Sequence, residues 1–132
     1  VSVISVSKNT QSYKDLIVWQ KAVELAVIIY KTTNDFPKHQ QYSLVNQIER
    51  SAVSVASNIA EGAGRKGLNE FVYHVGVARG SLYELQTQIL IANKVTFISN
   101  ETLELITNEI EEIGKMLNGL KRSLEGNINT NN

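Results

Sequence analysis

Residues 44–67, LVNQIERSAVSVASNIAEGAGRKG, decide how the rest of the chain must fold. Val45, Ile48, Ala52, Val55, Ile59 and Gly62 recur at steps of three and four, the spacing that lines one face of an α-helix. Ala52, Ala56 and Ala60 form a second row beside them, and Ser51, Ser54 and Ser57 add more small side chains. Small ridges let a neighbouring helix come close, so this helix is expected at the centre of the packing. Asn58 and Glu61 sit about one turn apart near its end. If buried, each needs a partner, because an unpaired amide or carboxylate costs about 1–3 kcal/mol or more. Arg50 and Arg79 are the cations in view for that role; on a solvated face none is needed. The GAGRKG that follows supplies glycines able to take positive φ at a helix end.

Outward from this helix, the pattern stays helical. Helix 1 is expected over 13–34, with Leu16, Trp19, Val23, Ala26, Tyr30 and Thr33 as its stripe. Ile17, Val18, Ala22, Leu25, Ile28 and Ile29 are apolar too, a wider band than one seam inside a monomer needs. The surplus suggests a second contact surface, and Ile17, Val18, Leu25 and Ile28 are the expected interface between copies. Asp35-Phe36-Pro37 ends this helix, since the residue before Pro avoids the helical region. Helix 2 then runs from between 38 and 43 to Ala63. Helix 3 is expected over 68–93, with Phe71, Val75, Ala78, Leu82, Leu85, Ile89 and Ala92 in heptad alternation. Ser99 suits an N-cap, with Glu101 in the first turn of helix 4. That helix carries Leu103, Ile106, Ile110, Ile113, Leu117, Leu120 and Leu124. Residues 126–132 have little to bury and are expected to be a disordered tail; residues 1–12 are expected to be a flexible arm. The fold class is therefore all-α: an up-down-up-down antiparallel four-helix bundle spanning 13–125.

Composition narrows the function. At 132 residues the chain is one domain, long enough to bury a core without metal or disulfide. With no Cys, disulfide scaffolds, thiol chemistry and cysteine-based zinc sites are excluded. The 13 basic and 13 acidic residues cancel, so no global field draws the protein onto nucleic acid. No apolar run approaches the ~20 residues of a membrane span. Residues 1–12 lack the basic start and apolar core of a secretory signal, so a cytoplasmic location is expected.

No catalytic constellation stands out, and neither enzyme activity nor a cofactor is expected. Gly62-Ala63-Gly64-Arg65-Lys66-Gly67 satisfies G-x-G-x-x-G, but a helix precedes it where the dinucleotide fingerprint needs a strand. Arg65 and Lys66 do lie where the N–H groups of helix 3 begin, a place that can hold a phosphate. Glu70 and His74 lie one turn apart, but a single pair is no metal site; a di-iron bundle needs two Glu-x-x-His pairs and two further Glu. Glu49, Glu61 and Glu84 form a carboxylate pair only if the fold joins them away from cations. Cations concentrate on helices 1 to 3, while helix 4 is acidic outside (Glu101, Glu104, Glu109, Glu111, Glu112). Arg50, Arg65, Lys66 and Arg79 are the residues expected to meet RNA or DNA, weakly for one copy and more strongly through avidity in a ring.

Trp19, Phe36-Pro37, Gln47-Ile48, Ser54-Val55, Asn58-Ile59-Ala60-Glu61-Gly62 and Ala78-Arg79-Gly80-Ser81-Leu82-Tyr83-Glu84 together resemble one four-helix-bundle family. It is known from proteins encoded in intervening sequences of bacterial 23S rRNA genes. That family is similar in turn to the accessory variability determinant of diversity-generating retroelements. The resemblance covers about 13–124. It implies a homo-oligomeric ring of five subunits and contact with nucleic acid and a polymerase-type partner, the reverse transcriptase in the retroelement case. It also implies a structural polar core of Asn58, Glu61, Arg79, Ser81 and Glu84, with Arg50 close by, fixing register between helices. Many relatives carry Pro where this chain has Ala56, so helix 2 is expected to be straighter here.

Overall fold

The small-residue stretch forms an uninterrupted helix, α2, over Leu44–Ala63. The structure, a computed structural model, describes residues 12–131, with side chains through 129. Three more α-helices accompany α2: α1 over Ile17–Thr33, α3 over Leu68–Lys94 and α4 over Asn100–Asn131. Short 3-10 turns at Tyr13–Asp15 and Lys38–Gln40 precede α1 and α2, and there is no strand among the described residues. The expected arm over 1–12 lies outside them except for Ser12, whose hydroxyl accepts from the Lys14 N–H at 3.1 Å.

Each helix touches two neighbours in the cyclic order α1, α2, α3, α4, and the α2/α3 contact is the most extensive. The seam of Val45, Ile48, Ala52, Val55, Ile59 and Gly62 on α2 and the seam expected on α3 are buried, as are Ile106, Ile110, Ile113, Leu117, Leu120 and Leu124 on α4, while Ala56 and Ala60 of the second row on α2 are half-buried. Leu103 is half-buried at the edge of that core. Fully burying a Leu or Ile side chain is worth about 1.5–3 kcal/mol, so these seams dominate the fold.

α1 turns inward a face that shares only Leu16 and Thr33 with the expected stripe. Val18, Ala22, Leu25 and Ile29 are wholly buried and Thr33 nearly so, whereas Trp19, Val23 and Ala26 are half-buried and Tyr30 is 48% exposed. Val18 and Leu25, expected between copies, are therefore core of the single chain, and Ile17 and Ile28 are half-buried. The seam Val18-Ala22-Leu25-Ile29 has the same steps of three and four, and in a helix apolar on nearly every side periodicity alone cannot select between them. Thr33 closes the seam, its hydroxyl donating to Glu49 Oε2 at 2.7 Å.

The chain breaks correspond to local chemistry. Phe36, held before Pro37, is buried and meets Phe97 with ring centroids 5.5 Å apart, so the α1–α2 and α3–α4 connections lie at the same end. Ser99 caps α4 as expected, accepting from the Thr102 N–H at 3.1 Å. The glycines of GAGRKG do not use positive φ; Gly64 is helical at φ −81° and Gly67 extended at φ −95°. Thr96 (φ 69°) is the residue that takes the left-handed conformation, in the α3–α4 turn. α4 continues to Asn131, past the position 125 at which the bundle is expected to end. Extending a formed helix costs little, because each added residue gains a backbone hydrogen bond even where nothing is buried. Among the described residues no helix is long and apolar enough to cross a membrane.

Candidate functional site

Three features stand apart from plain core packing: a polar node between α2 and α3, a cluster of charges at their turn, and an apolar groove between α1 and α2.

The node is built on Asn58. Its amide nitrogen donates to the Ser54 carbonyl at 2.9 Å and to Ser54 Oγ at 3.1 Å, which leaves its carbonyl oxygen as acceptor. That oxygen lies 3.1 Å from His74 Nδ1, so the Nδ1 position carries the proton. Ser54 and Ser81 share a hydroxyl–hydroxyl bond of 2.7 Å, with Ser81 buried. One turn along, Gly62 faces α3 so closely that a Cβ there would stand 2.8 Å from His74 Cβ and 3.0 Å from Phe71 Cδ1. Asn58 and Ser81 are thus brought together. Glu61, Glu84 and Arg50 are exposed and take no part, and Arg79 is half-buried. His74 was missed by sequence reasoning, which paired it with Glu70; a His sixteen residues from an Asn carries no local signal.

At the turn, Arg65 bonds the Glu61 carboxylate and lies 3.7 Å from that of Glu70. Hydrogen bonding to Arg65, followed by its charge, holds Glu61 below the usual carboxylate range, and the same contact raises Arg65. A folded-state value below the unfolded one stabilises the fold above the ordinary carboxylate range, and that contribution is lost as pH falls through the lowered value. Thermal melts taken downward through that range should therefore fall further for the wild type than for Glu61→Gln, by a small margin because the pair is exposed. An equal response in the two proteins would contradict it.

The four cations expected at nucleic acid do not converge. Arg50 lies about 20 Å along the helix from Arg65, at ~1.5 Å per residue. Arg65 is engaged by two carboxylates, and Arg79 turns to Tyr83, its Nη2 3.4 Å from the phenol oxygen and its guanidinium 5.9 Å from the ring centroid. Lys66 is exposed. Among the described residues no group of three His, Asp or Glu is placed to hold a metal ion. Glu61, kept charged by Arg65, lacks the raised affinity for a proton that a general acid needs.

The groove of about 380 Å³ between α1 and α2 is lined by Val23, Ala26, Val27, Tyr30, Val53 and Ala56, with Lys31 and Ser57 at its rim. Val27 is 47% and Val53 42% exposed. This is the flank of α1 that the inward turn of Leu25 leaves open; it holds Val23, Ala26 and Tyr30 of the stripe expected to face inward, together with Val27, and none of the residues expected between copies.

Residues 14–119 match the family model described as 23S rRNA-intervening sequence protein. The chain belongs to that family. The match spans all of α1, α2 and α3 and most of α4, including the polar node, the charged turn and the groove. A solved structure of similar fold, a protein of unknown function from the S23 ribosomal protein family of Bacteroides thetaiotaomicron, is 26% identical to it. That similarity covers 80% of this chain and 98% of the other, with a TM-score of 0.72. Among curated proteins none matches this chain. Within this chain the Asn58-to-Gly62 and Gly80-to-Glu84 runs both lie at the α2/α3 contact: Asn58 and Ser81 join through Ser54, and Gly62 admits Phe71 and His74.

Proposed function

We propose that this protein is a non-enzymatic, homo-oligomeric helical scaffold that serves as an accessory factor to RNA or DNA or to a nucleic-acid-processing partner of the polymerase type. The observation that carries the reading is the exposed apolar groove of Val23, Val27, Tyr30 and Val53, which sister copies would cover. Each chain runs up-down-up-down with antiparallel neighbours. The pairs Gly62 with Phe71, Asn58 with His74 and Ser54 with Ser81 support this, since one number falls as the other rises. The copies close into a ring, for which the family resemblance and its likeness to the retroelement accessory determinant imply five subunits. A ring repeats each exposed cation around its axis, so weak contacts by Arg50 and Lys66 add through avidity.

The engagement of Arg65 by Glu61 and Glu70, together with the zero net charge, favours a second reading in which the oligomer binds a protein partner alone. Light scattering at micromolar concentration tests the assembly; several subunits per particle are expected, and a clean monomer would overturn it. RNA titration of the same particle separates the readings. Direct contact predicts affinity that falls with salt, with a slope reduced by Lys66→Ala; the protein-only reading predicts no specific binding.

A further inference from the structure

We propose that the groove between α1 and α2 is filled by α3 of a second copy, laid parallel to α1, with Glu84 against Arg50 and Arg79 against Glu24 across the contact. The proposal rests on the assembly reading above and names the surface that the groove receives.

The groove offers apolar walls and a charge of each sign. Val23, Val27, Tyr30 and Val53 form the walls. Thr33 bonds Glu49, which puts Lys31 and Arg50 at the same end. Glu24, on the outer side of α1 one turn from Val27, lies about 10 Å along the helix from Lys31. All three charges are exposed, and none makes a salt bridge with a described residue. Lys21, one turn before Glu24, is held by Glu112 at 3.0 Å.

α3 touches α2 and α4 but not α1, so its outward side lies across the bundle from α1. Tyr73, Tyr83 and Leu90 are large side chains left exposed there. Gly76 and Gly80 have nothing within 4 Å of where a Cβ would stand. Glycine weakens a helix relative to alanine, and no packing within the chain offsets that at either position. The bare backbone forms a shelf able to sink between two other helices. Between Tyr73 and Ile91 the charged residues are Arg79 and Glu84, about 8 Å apart along the axis. At about 100° per residue they fall on opposite sides of Gly80. Such a balanced face selects neither an anion nor a cation. It fits a surface that carries one charge of each sign in the matching order.

The α1/α2 groove is that surface. With α3 parallel to α1, Glu84 comes to Arg50 on the α2 wall and Arg79 to Glu24 on the α1 wall. Turned end for end, α3 would set Glu84 against Glu24 and Arg79 against Arg50, which like-charge repulsion opposes. Within its own chain Arg79 holds only the 3.4 Å contact with Tyr83, so it has donors to spare. In an up-down-up-down chain α1 and α3 run the same way. A rotation about an axis along the helices therefore sets α3 of one copy parallel to α1 of the next, as a ring requires. Because the contact joins two different surfaces, it repeats from copy to copy instead of ending at a dimer. It also takes Arg50 out of solvent, so Lys66 is the cation a ring keeps free for nucleic acid.

Light scattering of the full chain over a dilution series tests the contact. Glu84→Arg and Arg50→Glu should each raise the concentration at which particles dissociate about tenfold, and the chain carrying both changes should regain the wild-type value. Gly80→Gln fills the shelf in open space, so the separated chain should melt higher while the particle falls to one subunit. Mixing Gly80→Gln with Val53→Lys joins an intact groove to an intact α3, and particles of two subunits are expected. Wild-type mass for Gly80→Gln or Glu84→Arg, no rescue in the doubly changed chain, or a mixture that stays monomeric would overturn the proposal. If the α3 variants keep the wild-type mass while Val53→Lys loses it, assembly through the groove stands and this contact alone falls. A monomeric wild type removes both.

Discussion

Leu25→Ala should lower the free energy of unfolding by roughly 2–5 kcal/mol, the cost of a large-to-small change in a packed core. Leu25 is wholly buried within the single chain, alongside Val18, Ala22 and Ile29 on the same side of α1. Were it instead at the contact between copies, its truncation would reduce particle mass and leave the stability of the separated subunit nearly unchanged. Denaturant unfolding in conditions that keep subunits apart distinguishes the two. A loss of this size places Leu25 in the core; a loss under about 1 kcal/mol would contradict the inward face assigned to α1.

Gly62→Val is the second large effect, and Gly62→Ala fixes its sign. Helix propensity alone predicts that alanine at this position adds about 1 kcal/mol of stability. The close approach of α3 predicts the opposite, because the new Cβ would stand 2.8 Å from His74 Cβ. That atom is bonded directly to the backbone and cannot swing aside as the end of a long side chain would. Overpacking of this kind costs about 1–3 kcal/mol and occasionally more, so it outweighs the propensity gain. Valine adds two further carbons against Phe71 and displaces His74 from its 3.1 Å bond to Asn58. We expect alanine to lower the melting temperature and valine to lower it much further, with loss of cooperativity. A raised melting temperature for Gly62→Ala would show that the helices are not in this contact.

The contrast between α1 and the other helices explains what could be read from residues alone. On α2 and α4 the apolar seam is bordered mainly by Ser, Asn, Gln, Glu and Lys, and on α3 one unbroken heptad alternation stands out, so the expected seam is the observed one apart from the half-buried Leu103. On and just before α1 apolar residues occur at 16–19, 22, 23 and 25–30, and two faces satisfy the same spacing. The choice between them is made by the partners that α2 and α4 present, which is tertiary information. The polar node divided in the same manner. Asn58 and Ser81 belong to short motifs and are identifiable, whereas Glu61, left open between burial and a solvated face, is exposed and pairs with Arg65, four residues on, and not with Arg50 or Arg79. His74 enters through a contact sixteen residues long in sequence. Gly62, on the apolar face by its spacing, serves close approach, whereas the positive φ expected of the turn glycines falls on Thr96.

The groove between α1 and α2 carries the assembly account, so one measurement bears on it most directly. Val53 is 42% exposed there and makes little of the core, and a lysine at that position can keep its ammonium in water while its stem covers the helix. Particle mass by light scattering should fall from several subunits for the wild type to one for Val53→Lys, with the melting transition of the separated chain intact. A variant that keeps the mass of the wild-type particle would contradict the account.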